Sequence, residues 1–306
     1  MSSIRAFIDL GTNTFHLLIA KVEEGSSDIL FRTKKLVGLG AGGINDNKIT
    51  PDAIERGLAC LVEFVQQCSN HGVVNIAAFG TSALRNASNS KDFQEIVLEK
   101  TGIRIQIING DREAELIQLG ISAGISFSKE PYLIMDIGGG STEFIVVKDD
   151  EILWKKSFEV GVQRLVSTYL NSDPISKDSL AQLSKYLPEF LSDLKAIKKY
   201  NIKALVGASG TFTTLERMYL ETSESKVAKD NMVSASFFYE VFAKLISLPR
   251  EERLNIPGIS HPRVDLIVVG ATLVNHVISS FGFTGFYVSD QGLKEGALLL
   301  AEKGKL

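Results

Sequence analysis

The order of predicted strands and helices indicates an α/β fold in two halves. Three consecutive strands are predicted at the start of the chain, and a second set of three begins at Tyr132. Alternating helices and strands follow each set, and the 306 residues are enough for about two domains. The sequence therefore predicts two α/β domains, residues 1–127 and 128–306, joined by a short polar turn.

The first half is predicted to begin as a meander and to continue with alternating elements. Thr50 and Pro51 indicate a helix start, because threonine caps a helix and proline suits its first position. Apolar residues then recur at helical spacing as far as Val65. The predicted elements are strands at 4–10, 15–22 and 28–38, a helix from Pro51, a strand at 73–80, a helix at 90–101, a strand at 103–109 and a helix at 111–124.

The second half repeats this order with more helices. The predicted elements are strands at 132–137, 142–148 and 151–158, helices at 160–170 and 176–199, a strand at 203–208, helices at 210–220, 234–247 and 264–280, a strand at 285–289 and a helix at 291–303. The last segment, about 291–306, is also a candidate for packing back onto the first domain. Each half buries its own sheet, so the cleft between the halves is the expected ligand site.

The composition argues against several classes of protein. A net charge of −3 disfavours a dedicated nucleic-acid binder. No apolar stretch approaches the roughly 20 residues of a membrane span, and the N-terminus enters a strand at once, which disfavours a signal peptide. Cys60 and Cys68 have no partners at metal-ligand spacing, which indicates buried thiols in a reducing compartment. We therefore expect a cytoplasmic protein that binds neither nucleic acid nor membrane, and a homodimer remains open.

Two short loops share one sequence context. Asp9 ends an apolar strand before the first loop, Gly11–Thr14, and Asp136 ends another before the second loop, Gly138–Ser141. Small residues leave backbone N–H groups unobstructed, so such loops can bind an anion. Aspartate is a hard ligand that suits Mg²⁺. Two copies predict that both halves hold one phosphate chain and its metal ion, although either loop alone also fits a tight β-hairpin.

Two further glycine-rich segments have different interpretations. The third loop, Gly207–Thr211, follows an apolar strand and opens a helix, whose N-terminus can bind phosphate. It also fits a capped strand-to-helix connection. Gly38–Gly43 matches G-x-G-x-x-G, but the next helix starts only at Pro51, too late for a dinucleotide site. No Walker sequence is present either, so a P-loop NTPase is not indicated.

Glu113 is the sharpest candidate for acid–base chemistry. It lies in the predicted first turn of the helix at 111–124, where a carboxylate could orient or deprotonate water. Acidic residues in a first turn also stabilise the helix dipole, which explains Asp111 equally well. Glu143, just past the second loop, is its candidate partner from the other half. Arg85 follows a strand end, and its guanidinium could clamp a phosphate or could simply be solvated.

These motifs resemble those of the exopolyphosphatase and guanosine-pentaphosphatase (Ppx/GppA) family, within the superfamily of actin, sugar kinases and heat-shock ATPases. The D-I-G-G-G-S-T-E string and the late V-S-D-Q-G-L-K-E-G string are the most specific. The resemblance covers nearly the whole chain in the family's order. The matching stretches are 8–20, 78–89, 108–120, 135–144, 204–218, 255–274 and 286–300.

The resemblance implies two actin-like (ribonuclease H-like) domains, with mixed sheets of five-stranded type flanked by helices and an active-site cleft. It also implies hydrolysis of a terminal phosphoanhydride bond with Mg²⁺, or another divalent cation such as Mn²⁺. Glu113 and Glu143 match catalytic positions, and Asp9, Asp136 and Glu143 match positions near the metal ion. The implied phosphate-binding residues are Gly11, Thr12, Asn13, Arg85, Gly138, Gly139, Ser141, Gly210 and Thr211.

The predicted function is exopolyphosphatase activity, with inorganic polyphosphate as substrate and orthophosphate as product. Gly38–Ala41 lacks a basic and an acidic residue often seen in the family, which leaves substrate preference open. One alternative is a guanosine pentaphosphate (pppGpp) 5′-phosphohydrolase, whose guanosine pocket the sequence does not locate. A kinase of the same fold would need an acceptor-binding insertion that is not evident. A non-catalytic sensor of polyphosphate or nucleotide is disfavoured by Glu113 and Glu143.

Overall fold

Two sheets organise the fold, as the computed structural model shows for residues 2–125, 129–222 and 232–306. The chain forms two compact units, each with its own hydrophobic core. The first unit runs to Gly124 and includes Gly138–Gly140 and Gln291–Leu306. The second unit comprises the described residues of Ile125–Ile137 and Ser141–Asp290. The predicted boundary at 127 and 128 lies outside the described residues, so it stays a prediction.

The first unit contains a five-stranded mixed sheet in the order β3-β2-β1-β4-β5. β1 lies at its centre, antiparallel to β2 and parallel to β4. The Thr50 side chain accepts a hydrogen bond from the backbone N–H of Ala53, as expected of a cap. The elements are β1 (Ser3–Leu10), β2 (Thr14–Glu23), β3 (Ser26–Leu36), α1 (Pro51–Asn70), β4 (Asn75–Gly80), α2 (Ser82–Asn86), α3 (Ser90–Thr101), β5 (Ile105–Ile107) and α4 (Gly110–Gly124).

The second unit contains a six-stranded sheet in the order β10-β11-β9-β6-β7-β8. β6 is again antiparallel to one neighbour, β7, and parallel to the other, β9. Its elements are β6 (Tyr132–Ile137), β7 (Thr142–Lys148), β8 (Glu151–Phe158), α5 (Val162–Tyr169), α6 (Lys177–Phe190), β9 (Ala204–Ala208), α7 (Ser209–Thr222), β10 (Met232–Ser234), α8 (Ala235–Ser247), α9 (Arg250–Arg253), α10 (Leu266–Phe281) and β11 (Gly285–Ser289). The predicted α/β class with mixed sheets is therefore confirmed.

Three differences from the predicted elements have physical reasons. The second sheet has six strands rather than five, because the short β10 adds an antiparallel edge to β11. The helix predicted over 176–199 ends at Phe190, and a 3-10 helix, Ser192–Tyr200, follows it. Pro188 lies within the last turn of α6, where its ring and missing N–H group oppose continuation. The short α2 and α9 carry too few residues to show a periodic pattern.

The final helix, α11 (Leu293–Glu302), packs against α4 and β2 of the first unit. Among the described residues, no helix has both the length and the apolar character needed to cross a membrane.

A buried arginine ties together several loops of the second unit. Arg253 at the end of α9 is 0% exposed. Its guanidinium donates to the carboxylates of Asp173 (2.8 Å) and Asp265 (3.3 Å). It also donates to the carbonyl oxygens of Leu248 (2.7 Å) and Val264 (3.3 Å). This cluster joins the loop before α6 to both ends of α9 and to the start of α10, so we expect loss of the arginine to destabilise this unit.

Candidate active site

The first loop is held in place by the segment that follows β3. The carbonyl oxygen of Asn13 accepts hydrogen bonds from the N–H groups of Val37 and Gly38, both at 2.9 Å. The carbonyl oxygen of Thr12 accepts another from the N–H group of Gly40 at 3.0 Å. The glycine-rich segment that matches a dinucleotide motif therefore lies behind the first loop and supports its backbone.

The second loop approaches the first so closely that side chains are excluded. Gly138–Gly140 belongs by its contacts to the first unit. A Cβ atom at Gly139 would lie 2.8 Å from Cγ of Asn13. A Cβ atom at Gly140 would lie 2.7 Å from Oγ1 of Thr12 and 2.6 Å from Oγ of Ser82. The structure thus brings together three of the predicted phosphate-binding residues, Thr12, Asn13 and Gly139.

Asn13 has an unusual environment for an amide side chain. It is 5% exposed, and neither its Oδ1 nor its Nδ2 atom has a hydrogen-bond partner among the described residues. A buried polar group without a partner costs about 1–3 kcal/mol. Because Gly139 lies directly against this amide, the two loops enclose a polar group that a ligand could satisfy.

Glu113 is buried in the first turn of α4, where Arg85 holds it. Glu113 is 7% exposed. Its Oε2 atom accepts a hydrogen bond from Nη1 of Arg85 at 2.9 Å. Nη1 also donates to the carbonyl oxygen of Ile108 at 3.2 Å. The start of α4 is capped by the side chain of Asn109, which accepts from the N–H group of Arg112 at 2.8 Å. The charge-assisted contact between Arg85 and Glu113 orients the carboxylate and gives Arg85 a partner that the sequence did not indicate.

Asp136 and Glu143 are neighbours in the second unit. They face each other across the antiparallel pair of β6 and β7, so their side chains lie on the same face of the sheet. Asp136 is 8% exposed and Glu143 is 1% exposed. The hydroxyl of Ser157 on β8 donates to Oε1 of Glu143 at 2.6 Å. Asp9 belongs to the first unit, in register with His16.

The third loop, in the second unit, contacts Arg263, a residue that sequence reasoning missed. Ser209 adopts a left-handed backbone conformation, with φ of 68°, at the start of α7. The guanidinium of Arg263 packs directly on Gly210, in the position that a Cβ atom there would occupy. Burial lowers the pKa of Arg263, and the nearby charge of Arg217 lowers it further. The sequence signal for Arg263 was its place within the family-matching stretch 255–274, in the turn before the apolar α10.

Ser141 and Thr211, two further predicted phosphate-binding residues of these loops, are buried, whereas Gly11, Gly138 and Gly210 are partly exposed. Ser141 is 2% exposed and Thr211 is 4% exposed. Within the ranges that the structure describes, no group of three or more His, Cys, Asp or Glu residues could hold a metal ion. Mg²⁺ commonly uses only one or two protein carboxylates, with water and phosphate oxygens completing its shell. The adjacent carboxylates of Asp136 and Glu143 fit that donor set.

Comparisons with known proteins agree with the order of these elements. An exopolyphosphatase from Cytophaga hutchinsonii has a solved structure that matches with a TM-score of 0.92 and 38% identity, covering 99% of this chain and 98% of that chain. A protein of Haemophilus influenzae, named as a candidate exopolyphosphatase, is 29% identical over 300 residues, which is 97% of this chain and 91% of that protein.

A third relative is a longer protein. The bifunctional 3-dehydroquinate synthase/phosphatase of Fusobacterium nucleatum is 31% identical over 318 aligned positions. The match covers 99% of this chain but only 47% of that relative. A sequence model of the Ppx/GppA phosphatase family matches residues 18–304. The chain therefore belongs to the Ppx/GppA phosphatase family.

Proposed function

We propose that this protein is an exopolyphosphatase, a hydrolase that removes the terminal phosphate of inorganic polyphosphate. Membership of the phosphatase family and similarity to proteins named as exopolyphosphatases support the class of reaction. The observation that carries the proposal is the buried carboxylate of Glu113, held at 2.9 Å by Arg85. It lies in the same unit as the paired loops around Asn13 and Gly139.

The terminal phosphate is proposed to bind at the paired loops. Backbone N–H groups in glycine-rich loops can surround an anion closely, because no Cβ atoms intervene. The amide Nδ2 of Asn13 would donate to a phosphate oxygen and would gain the partner that it lacks. In the second unit, the third loop and Arg263 supply a helix N-terminus and a cation, both of which attract phosphate.

Glu113 is proposed to act on the attacking water. Its carboxylate orients the water and accepts a proton from it, while the water oxygen forms a new bond to the terminal phosphorus. The bridging P–O bond breaks, orthophosphate leaves, and the chain shortens by one phosphate. General-base assistance of this kind contributes about 10²- to 10⁴-fold in rate. Arg85 positions the Glu113 carboxylate through the ion pair between them.

Asp136 and Glu143 would hold Mg²⁺, and Mn²⁺ would suit the same oxygen ligands. When bound, the cation neutralises charge on the phosphate oxygens, which is a main requirement of phosphoryl transfer. Asp9, in the first unit, stays a predicted metal ligand.

The substrate class is tested by one parallel assay. Purified protein with Mg²⁺ is given long polyphosphate, short polyphosphate, pppGpp and ATP, and orthophosphate release is measured. The proposal expects release from polyphosphate without any added acceptor. Preferential release from pppGpp would replace it with a nucleotide phosphohydrolase, and phosphate transfer that requires an acceptor would indicate a kinase.

The metal requirement gives a second expected result. Chelation with EDTA should abolish orthophosphate release, and excess Mg²⁺ should restore it. Asp136→Asn should raise the Mg²⁺ concentration needed for half-maximal rate by about 10- to 100-fold, the range seen when metal-site partners are lost. Asp178→Asn, at the exposed start of α6, is the matched control. Equal Mg²⁺ dependence in both variants would remove Asp136 from the metal site.

The contact of the two loops gives a third expected result. Gly140→Ala adds a methyl group 2.6 Å from Oγ of Ser82 and 2.7 Å from Oγ1 of Thr12, so these side chains or the second loop must move. A displacement of this size should lower kcat/KM by about 10²-fold. Gly292→Ala adds the same group where no atom of the described part of the chain lies within 4 Å. If both variants hydrolyse polyphosphate equally well, the paired loops do not form the phosphate site.

We also propose a cytoplasmic location, which the two thiols support. Cys60 and Cys68 are free and buried. Burial raises the pKa of Cys60 to about 12 and that of Cys68 to about 11, so both are poor nucleophiles. Homodimer formation remains a prediction, which light scattering of the purified protein would test.

A further inference from the structure

The final helix meets the helix of Glu113 at a contact that only glycines allow. A Cβ atom at Gly296 on α11 would overlap the carbonyl oxygen of Leu116 on α4. A Cβ atom at Gly120 on α4 would overlap the carbonyl oxygen of Gly292, which precedes α11. Both obstacles are backbone atoms, so a side chain at either glycine could be accommodated only by moving a helix. The two helices therefore have one tightly defined separation.

This contact lies close to the proposed base along α4. Leu116 follows Glu113 by three residues, which is less than one helical turn. A shift of the α4 backbone at Leu116 would therefore be transmitted to the carboxylate of Glu113. That carboxylate depends on a 2.9 Å contact with Arg85, which a small displacement would weaken.

The other end of α11 is attached to the sheet of the same unit. The carbonyl oxygen of Glu302 accepts a hydrogen bond from the N–H group of Gly25 at 3.1 Å. Its side-chain Oε1 atom accepts another from the hydroxyl of Ser27 at 2.5 Å. At the start of α11, Oε2 of Glu295 accepts from the N–H group of Gly292 at 2.9 Å. The helix is thus attached to the sheet at its C-terminal end, while its first turn and Gly292 before it contact α4.

We propose that α11 is a positioning element for the hydrolysis reaction. It sets the place of α4 through Gly120 and Gly296, and in this way it sets the place of the Glu113 carboxylate relative to the substrate. Neither glycine is assigned contact with substrate. The inference rests on the proposed function, since it takes Glu113 to be the group that acts on water.

The test compares glycine-to-alanine changes at matched positions. Gly296→Ala and Gly120→Ala should each lower kcat for polyphosphate by about 10- to 100-fold, the cost of a misplacement of around 1 Å. KM should change by less than about twofold, because phosphate-binding groups stay in place. Gly124→Ala is the control, since among the described residues its Cβ atom would meet only Cγ of Gln291, at 3.4 Å. Equal kcat in Gly296→Ala and Gly124→Ala would overturn the proposal.

A double substitution separates positioning from general damage. If Gly296→Ala acts through Glu113, then adding it to Glu113→Gln should change the remaining kcat by less than about twofold, because coupled residues are non-additive. If the two losses multiply, α11 does not act through Glu113. Wild type and Gly124→Ala in the same assay report the hydrolase activity itself, so failure of the proposed function would be recognised separately.

A milder perturbation tests the proposal if Gly296→Ala and Gly120→Ala do not fold. Ser27→Ala combined with Glu302→Ala removes the side-chain attachment of α11 without adding atoms. Circular dichroism and the thermal midpoint establish that each protein is folded. If the Ser27→Ala and Glu302→Ala double variant has a lower kcat than wild type, but lowers kcat no further when Glu113→Gln is also present, the result supports positioning. An unchanged kcat in the double variant counts against it.

Discussion

Glu113→Gln is expected to lower kcat for polyphosphate by about 10²- to 10⁴-fold, the range associated with loss of a general base. Glutamine has nearly the same shape and can still accept a hydrogen bond from Arg85, so the start of α4 should keep its structure. It cannot take up a proton from water, and this is why the effect should appear in kcat. KM should remain within about threefold of wild type, since the change leaves the phosphate-binding loops intact.

The measurement is orthophosphate release at saturating substrate, with Glu115→Gln as the matched control. Glu115 lies two residues further along α4, and its half-exposed carboxylate pairs with Arg112 at 3.0 Å. An ion pair at the surface contributes little, so this control should retain nearly full activity. Turnover by Glu113→Gln at the rate of the control would refute the assignment of the base.

Arg253→Ala is expected to lower the free energy of unfolding by about 2–5 kcal/mol, the range for truncating a large, fully buried side chain to alanine. The arginine is 0% exposed, so its removal leaves a cavity as well as two unpaired carbonyl groups, those of Leu248 and Val264. Asp173 and Asp265 keep part of their surface in water and can be rehydrated. The loss should therefore come mainly from packing and the orphaned carbonyls.

Denaturant unfolding followed by circular dichroism would measure this effect. Arg250→Ala provides the comparison, because Arg250 belongs to the same short helix and pairs with the same Asp265, but lies at the surface. Its removal should cost less than about 1 kcal/mol. Similar losses in the two variants would show that the buried position of Arg253 adds nothing to stability.

Local sequence patterns were sufficient for most of the fold. The two central strands could be located because each is apolar and ends at a loop of small residues, and the cap at Thr50 and Pro51 marked the start of α1 correctly. The break in the helix predicted over 176–199 was missed because its apolar spacing continues past Pro188. The edge strand β10 has three residues, too few for an alternating pattern, and it forms because β11 offers an unpaired edge.

Residue types and short spacings also indicated most of the candidate site. The loops, the two aspartates and the two glutamates all stand next to predicted strand or helix ends, where a motif can be recognised from neighbouring residues alone. The partners of these residues could not be read in the same way. Arg85 and Glu113 are 28 residues apart, and Arg263 reaches Gly210 from a distant turn. Such contacts depend on how whole elements pack.

The sequence by itself determined the α/β class, the repeated strand-and-loop pattern and the residue types available for binding phosphate, because these features depend on neighbours within one or two turns. Only the tertiary structure decided that Arg85 pairs with Glu113, that Gly139 covers the amide of Asn13, and that Gly296 fits against α4. Each of these is a contact between residues far apart in the chain. Such contacts depend on how side-chain volumes pack in the interior, and local propensity does not encode this packing.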